Sequence, residues 1–85
     1  RFSGKSLELN FSSSAAGGIR VEIQDVGGKP FPGYALEDCA PIFGDTLSRI
    51  VTWQGGSDLS ALAGKAVRLK FELRDADLFS YRFAE

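Results

Sequence analysis

The stretch from Val67 to Arg74 sets the tightest limit on what this chain becomes. Val67, Leu69, Phe71 and Leu73 alternate there with Arg68, Lys70, Glu72 and Arg74. A period of two places one set on each side of an extended strand, leaving an oily face and a wet face. The pattern recurs. Leu7, Leu9 and Phe11 interleave with Glu8 and Asn10, and Ile19, Val21 and Ile23 with Arg20, Glu22 and Gln24. Phe79, Tyr81 and Phe83 interleave with Ser80 and Arg82, and 33–36 and 48–53 are two weaker strand candidates. Strands wet on one side belong to antiparallel sheet. About six of them bury their oily faces most economically as two sheets face to face. The expected fold class is therefore all-β: an antiparallel two-sheet β-sandwich, jelly-roll or immunoglobulin-like, with one short helical turn.

Turn formers separate these runs. The small, polar stretch 12–18 reads as the connection between the first two strands, and Asp75-Ala76-Asp77 as a tight reversal between the last two. Val26-Gly27-Gly28-Lys29 offers left-handed positions for a turn, and Pro30 and Pro32 suit an extended edge segment. At 57–65, Ser57 as cap, Leu59 and Leu62 as inward residues and Gly64 as a stop define a single helical turn.

The 85 residues make one domain, 1–85, with no internal repeat. A chain this short buries only about 60% of the surface its unfolded form exposes, so its margin of stability is thin. Ten basic residues against eleven acidic ones, scattered along the chain, give a net charge of −1. No basic stripe tracks a phosphate backbone, so nucleic acid is not an expected partner. Nor does any apolar run approach the roughly 18 residues of a membrane span. The chain opens Arg1-Phe2-Ser3 with neither an initiator Met nor a leader, and reads as a piece excised from a longer polypeptide.

Histidine is missing, which removes the commonest general base and most transition-metal sites. Cys39 has no partner for a disulfide, and its neighbours Glu37 and Asp38 oppose thiolate formation, so it reads as a buried structural thiol. Around it, 34–45 is expected to form a covering loop. Leu36, Ile42 and Phe43 would enter the core, Pro41 and Gly44 would shape the path, and Asp38 and Asp45 would accept backbone hydrogen bonds. Glu37, Asp38 and Asp45 are also the candidate ligands for a calcium ion, whose six to eight oxygens come from carboxylates and carbonyls. Otherwise no cofactor is expected. Trp53, followed by Gln54-Gly55-Gly56, offers either a flat ring for a pyranose face or a plug at the end of the core. Tyr34 carries the same two readings, and Trp53, Tyr34 and Gln54 are the candidate ligand-binding residues.

Several motifs carry a resemblance over almost the whole chain, from Ser6 to Phe83: Arg20-Val21-Glu22-Ile23-Gln24-Asp25, Leu36-Glu37-Asp38-Cys39, Gly44-Asp45, Thr52-Trp53-Gln54-Gly55-Gly56 and Leu62-Ala63-Gly64-Lys65. In that order they resemble the C-terminal β-sandwich module of bacterial, planctomycete-type multidomain proteins labelled glycoside hydrolase family 32-like. The resemblance implies a non-catalytic module, with catalysis in an upstream five-bladed propeller domain and export outside the cell or to the periplasm. It also implies an extra strand before this point, whose loss leaves one sheet edge unpaired. Residues 21–34 are similar to carboxypeptidase-regulatory-like sandwiches, and 58–73 to galactose-binding-like jelly rolls.

The expected function is thus a non-catalytic accessory domain of a secreted, carbohydrate-active enzyme, acting by packing. Its expected partner is the catalytic domain of the parent chain. The alternative is a carbohydrate-binding module. An unpaired edge would also favour a homodimer by strand addition.

Overall fold

The computed structural model describes residues 5–84, the side chains of 45–48 excepted. Arg1, Phe2 and Ser3, on which the reading of an excised start rests, lie outside the described residues. Three strands form one antiparallel sheet: β1, Ser6–Gln24; β2, Asp45–Ile50; and β3, Arg68–Ala84. The order is β2-β1-β3, with β1 central. The all-β expectation holds, but the strand count differs. Residues 33–36 form no strand: they run through a turn into a short 3₁₀ helix at Leu36–Asp38. The second 3₁₀ turn, Ser60–Leu62, falls where a helical turn is expected, but Asp58 rather than Ser57 accepts its Ser60 N–H, at 2.9 Å.

The two expected connections at 12–18 and 75–77 are not connections. β1 and β3 each run straight through as one long strand, and the two turn-like stretches face each other across the ladder. Ser12 pairs with Asp77, Ser13 with Ala76, and Gly18 with Arg74. Residues 14–17 therefore oppose the single residue Asp75, a large bulge on β1. Asp75 has φ 47°, left-handed backbone that aspartate tolerates better than most residues. Gly17 is required on the other side: a Cβ there would overlap the Arg74 carbonyl oxygen and lie 2.7 Å from that of Asp75.

Bulges bend strands, and this one bends both together. At about 3.3 Å per residue, nineteen straight residues would span about 60 Å, whereas the molecule measures 34 Å along its longest axis. The rings of Phe71 and Tyr81, ten positions apart on β3, lie 5.3 Å apart at 43°. A straight strand would separate them by about 33 Å. The two halves of β3 therefore fold toward each other.

The inner faces of both halves of β1 supply Leu7, Leu9, Phe11, Ile19, Val21 and Ile23, all at most 2% exposed. Cys39, Ile42, Val51, Trp53, Leu59 and Leu62, from the segments flanking β2, complete the core. These segments dock along the β1 edge that faces away from β3. Ile42 exchanges two backbone hydrogen bonds with Ile19, Ile23 bonds to Phe31 and Tyr34, and Val51 N–H donates to Leu7. Phe43 does not enter the core. Because Ile42 bridges to Ile19 in extended backbone, its side chain faces inward and its neighbour faces out, leaving Phe43 57% exposed.

Candidate functional site

Trp53 lies in the core, 4% exposed, and its indole Nε1 donates to the Val21 carbonyl at 2.9 Å. The Cys39 sulphur accepts the Val21 N–H at 3.4 Å. Ile19, Val21 and Ile23 all turn their backbone groups away from β3. Ile19 and Ile23 meet backbone partners there, and Val21 meets these two side chains. Burial is the first cause that pushes the Cys39 thiol above its ordinary pKa, outweighing the Val21 N–H and nearby Arg20. Cys39 is thus a structural thiol, as its residue type foretells. The cause is burial, not the acidic neighbours named in its sequence.

Tyr34 packs its ring edge against Trp53, centroids 5.5 Å apart, and its hydroxyl donates to the Asp58 carbonyl. With Trp53 enclosed, its ring offers no face to a sugar; this is its plug reading, not its platform reading. Gln54 is exposed at the tip of a turn closed by paired hydrogen bonds between Trp53 and Gly56. The sequence could not settle this, since a Trp before Gly-Gly fits either a loop platform or a strand-end plug.

Of the candidate calcium ligands, Asp38 accepts the Ala35 N–H at 3.2 Å on the first 3₁₀ turn, beside exposed Glu37. That turn is tied to β1 at its other end, where Leu36 N–H donates to Glu22. Asp45 starts β2 and pairs with Ser12 in the opposite half of β1; its side chain lies outside the described residues. Among the described residues no three His, Cys, Asp or Glu side chains gather in a way that would hold a metal ion. Every buried side-chain nitrogen and oxygen among them has a hydrogen-bond partner.

The surface that stands out lies along β3. Leu69, Phe71, Leu73, Leu78, Tyr81 and Phe83 pair with core residues of β1 and share their inward face. Yet Leu73 remains 48% and Tyr81 51% exposed, because the covering segments are anchored to the far edge of β1 and stop short of β3. Phe79 is 68% exposed for another reason: Phe11 pairs with Leu78 and Asn10 with Ser80, so Phe79 is a bulge residue with no partner on β1. The bent sheet is therefore open on its β3 side. No family model, curated protein or solved structure matches the chain.

Behind the same bend, Arg20, Glu72 and Arg74 line a shallow cleft of about 150 Å³ floored by Gly17 and Gly18. Its walls are surface charges on the wet side of the sheet.

Alternation places Phe79, Tyr81 and Phe83 on one inward face; Tyr81 and Phe83 lie there, but the pattern does not say whether anything covers them. Phe79 breaks the alternation, since Leu78 and Phe79 are consecutive apolar residues, and that doublet is the signal for the bulge.

Proposed function

We propose that the chain is a non-catalytic accessory domain of a secreted, carbohydrate-active enzyme, working by packing through the open β3 side. The observation that carries this reading is the pair Leu73 and Tyr81, core-facing by register yet exposed, with half-buried Phe71 beside them. An apolar row of this kind at the mouth of a core marks an interaction surface. Covering the exposed half of each such side chain would contribute about 1 kcal/mol. The fold of β1 and β3 onto themselves supports reading the domain as a two-layer sandwich whose layers are halves of the same bent strands. The sequence without histidine, and buried polar atoms that all have partners among the described residues, favour packing over catalysis. Packing requires no cofactor. Placement outside the cell or in the periplasm goes with this role, and no helix among the described residues is long and apolar enough to cross a membrane.

Two measurements test it. The chain should show no turnover of chromogenic glycosides; hydrolysis abolished by one carboxylate substitution overturns the reading. In the complete polypeptide, Tyr81→Lys should lower the melting temperature, with turnover per folded molecule unchanged.

A second reading, carbohydrate binding, has one observation in its favour: the tilted Phe71 and Tyr81 ring pair on the open side. It would use these rings rather than Trp53 and Tyr34. Retardation of the chain in polysaccharide gels, lost in Tyr81→Ala, would select it.

A further inference from the structure

We infer that the partner on the open β3 side is a second copy of this chain, joined edge to edge through β3 with Asp77 on a two-fold axis. The inference rests on the packing role proposed above and names its partner.

The first support is the backbone. Among the described residues β3 pairs on one side only. Ile19, Val21 and Ile23 direct their N–H and C=O groups away from β3. In an antiparallel ladder their opposite numbers Leu73, Phe71 and Leu69 then direct theirs the other way, to the open edge. Ser13, whose N–H goes to Gly44, does the same for Ala76.

The second is register. An antiparallel two-fold through Asp77 sets Ala76 against Leu78, Leu73 against Tyr81, Arg74 against Ser80 and Glu72 against Arg82. The first two pairs join inward-facing residues to inward-facing residues, and the last two join outward to outward. The two residues of β3 that lack a β1 partner, Asp75 and Phe79, fall opposite each other. The bends of the two copies then coincide, and their open sides point the same way, so the cores become continuous. Moving the centre by half a residue sets Leu73 against Ser80 and mixes the faces, the slip that a one-sided apolar strand resists. Bulges commonly protect an edge from such pairing. Here they sit at equal distances from Asp77, which leaves the strand matched to itself.

The third is charge. Arg82, already 3.1 Å from Glu8, gains Glu72 of the second copy, and each contact occurs twice. One pair opposes association: Asp77 faces its own copy, and like charges directly opposite destabilise a sheet. That gives the arrangement a signature.

Sedimentation equilibrium of the chain should show a dimer. Asp77→Asn should tighten it roughly threefold by removing the facing charges, and Glu72→Arg should loosen it by a similar factor by setting Arg against Arg82. Under oxidation Asp77→Cys should give a covalent dimer, because directly opposed residues lie within disulfide reach, while Ser80→Cys, opposite Arg74, should not. Cys39 is buried and stays out of the reaction. A chain that remains monomeric at millimolar concentration overturns the inference, and if its β3 amides are also protected from exchange, a segment of the same chain covers the edge. Cross-linking of Ser80→Cys as fast as Asp77→Cys overturns it too, by placing the axis elsewhere. A monomer in which Tyr81→Lys still destabilises the complete polypeptide would remove the second copy and leave the packing role standing.

Discussion

The indole of Trp53 supplies the hydrogen bond that the Val21 carbonyl would otherwise lack, at 2.9 Å, in the centre of the core. On the same residue, the N–H is met by the Cys39 sulphur. Two side chains 14 positions apart thus complete a strand edge where no strand lies, and they bridge to each other through their backbones. Because a buried, unpaired carbonyl costs about as much as a lost core contact, Trp53 holds the covering segment in place as much as it fills space.

Trp53→Phe should therefore destabilise the chain by about 2–3 kcal/mol, combining lost volume with an unpaired carbonyl. A urea titration followed by circular dichroism measures this. In the native chain, Trp53 fluorescence should be blue-shifted from free indole and unmoved by polysaccharide.

The Cys39 thiol should react with an aromatic disulfide reagent only as fast as the chain opens, because it is 4% exposed and held in the protonated form by burial. Cys39→Ser should cost about 1–2 kcal/mol, since a hydroxyl is more costly to bury and its shorter bond draws the acceptor away from the Val21 N–H. Rapid labelling of native chain would contradict the buried placement.

Stability should fall in acid, with Glu22 contributing. Its carboxylate accepts Gln24 Nε2 at 2.6 Å and Leu36 N–H at 3.1 Å. The Gln24 bond is the largest cause holding its pKa below the ordinary value, against the opposing effect of burial. A folded-state pKa below the unfolded one means the contribution is complete above the unfolded value and is lost as pH falls through the folded one. Glu22→Gln should flatten the stability profile in that window, measured as melting temperature against pH, and should leave it unchanged in shape near neutrality.

Gly17→Ala should cost about 1–3 kcal/mol, because its Cβ meets carbonyl oxygens of β3 that cannot move without opening the ladder. Amide exchange at Arg74, which pairs with Gly18, should accelerate. An unaffected variant would show that the bulge has room it is not seen to have.

Every expected strand run except 33–36 lies in an extended segment, because period-two alternation reports local geometry directly. Leu7, Leu9, Phe11, Ile19, Val21 and Ile23 all occupy the face the pattern assigns them. The turn at 25–29 was legible too: Asp25 accepts the N–H groups of Gly27 and Lys29, and Gly28 adopts φ 88°. The stretches at 12–18 and 75–77 were not legible. Small and polar residues allow either a reversal or a bulge, and the choice depends on what lies across the ladder. Each stretch is the other's partner, so the two bend together instead of turning back. Among the candidate site residues, Trp53 and Tyr34 were placed by packing against each other and against Val21 and Asp58, contacts of long sequence separation that no local pattern encodes.

By itself, the order of residues determined which face of β1 is apolar, that the chain turns tightly at 25–29, and that histidine chemistry is closed to it. These follow from side-chain type and backbone geometry over a few residues. Only the tertiary structure decided that four expected strands are two bent ones, that Trp53 is enclosed, and that Leu73 and Tyr81 are left open. Those outcomes depend on which edge of β1 the covering segments reach, and that is set by the competition among distant backbone groups for the same hydrogen-bond partners.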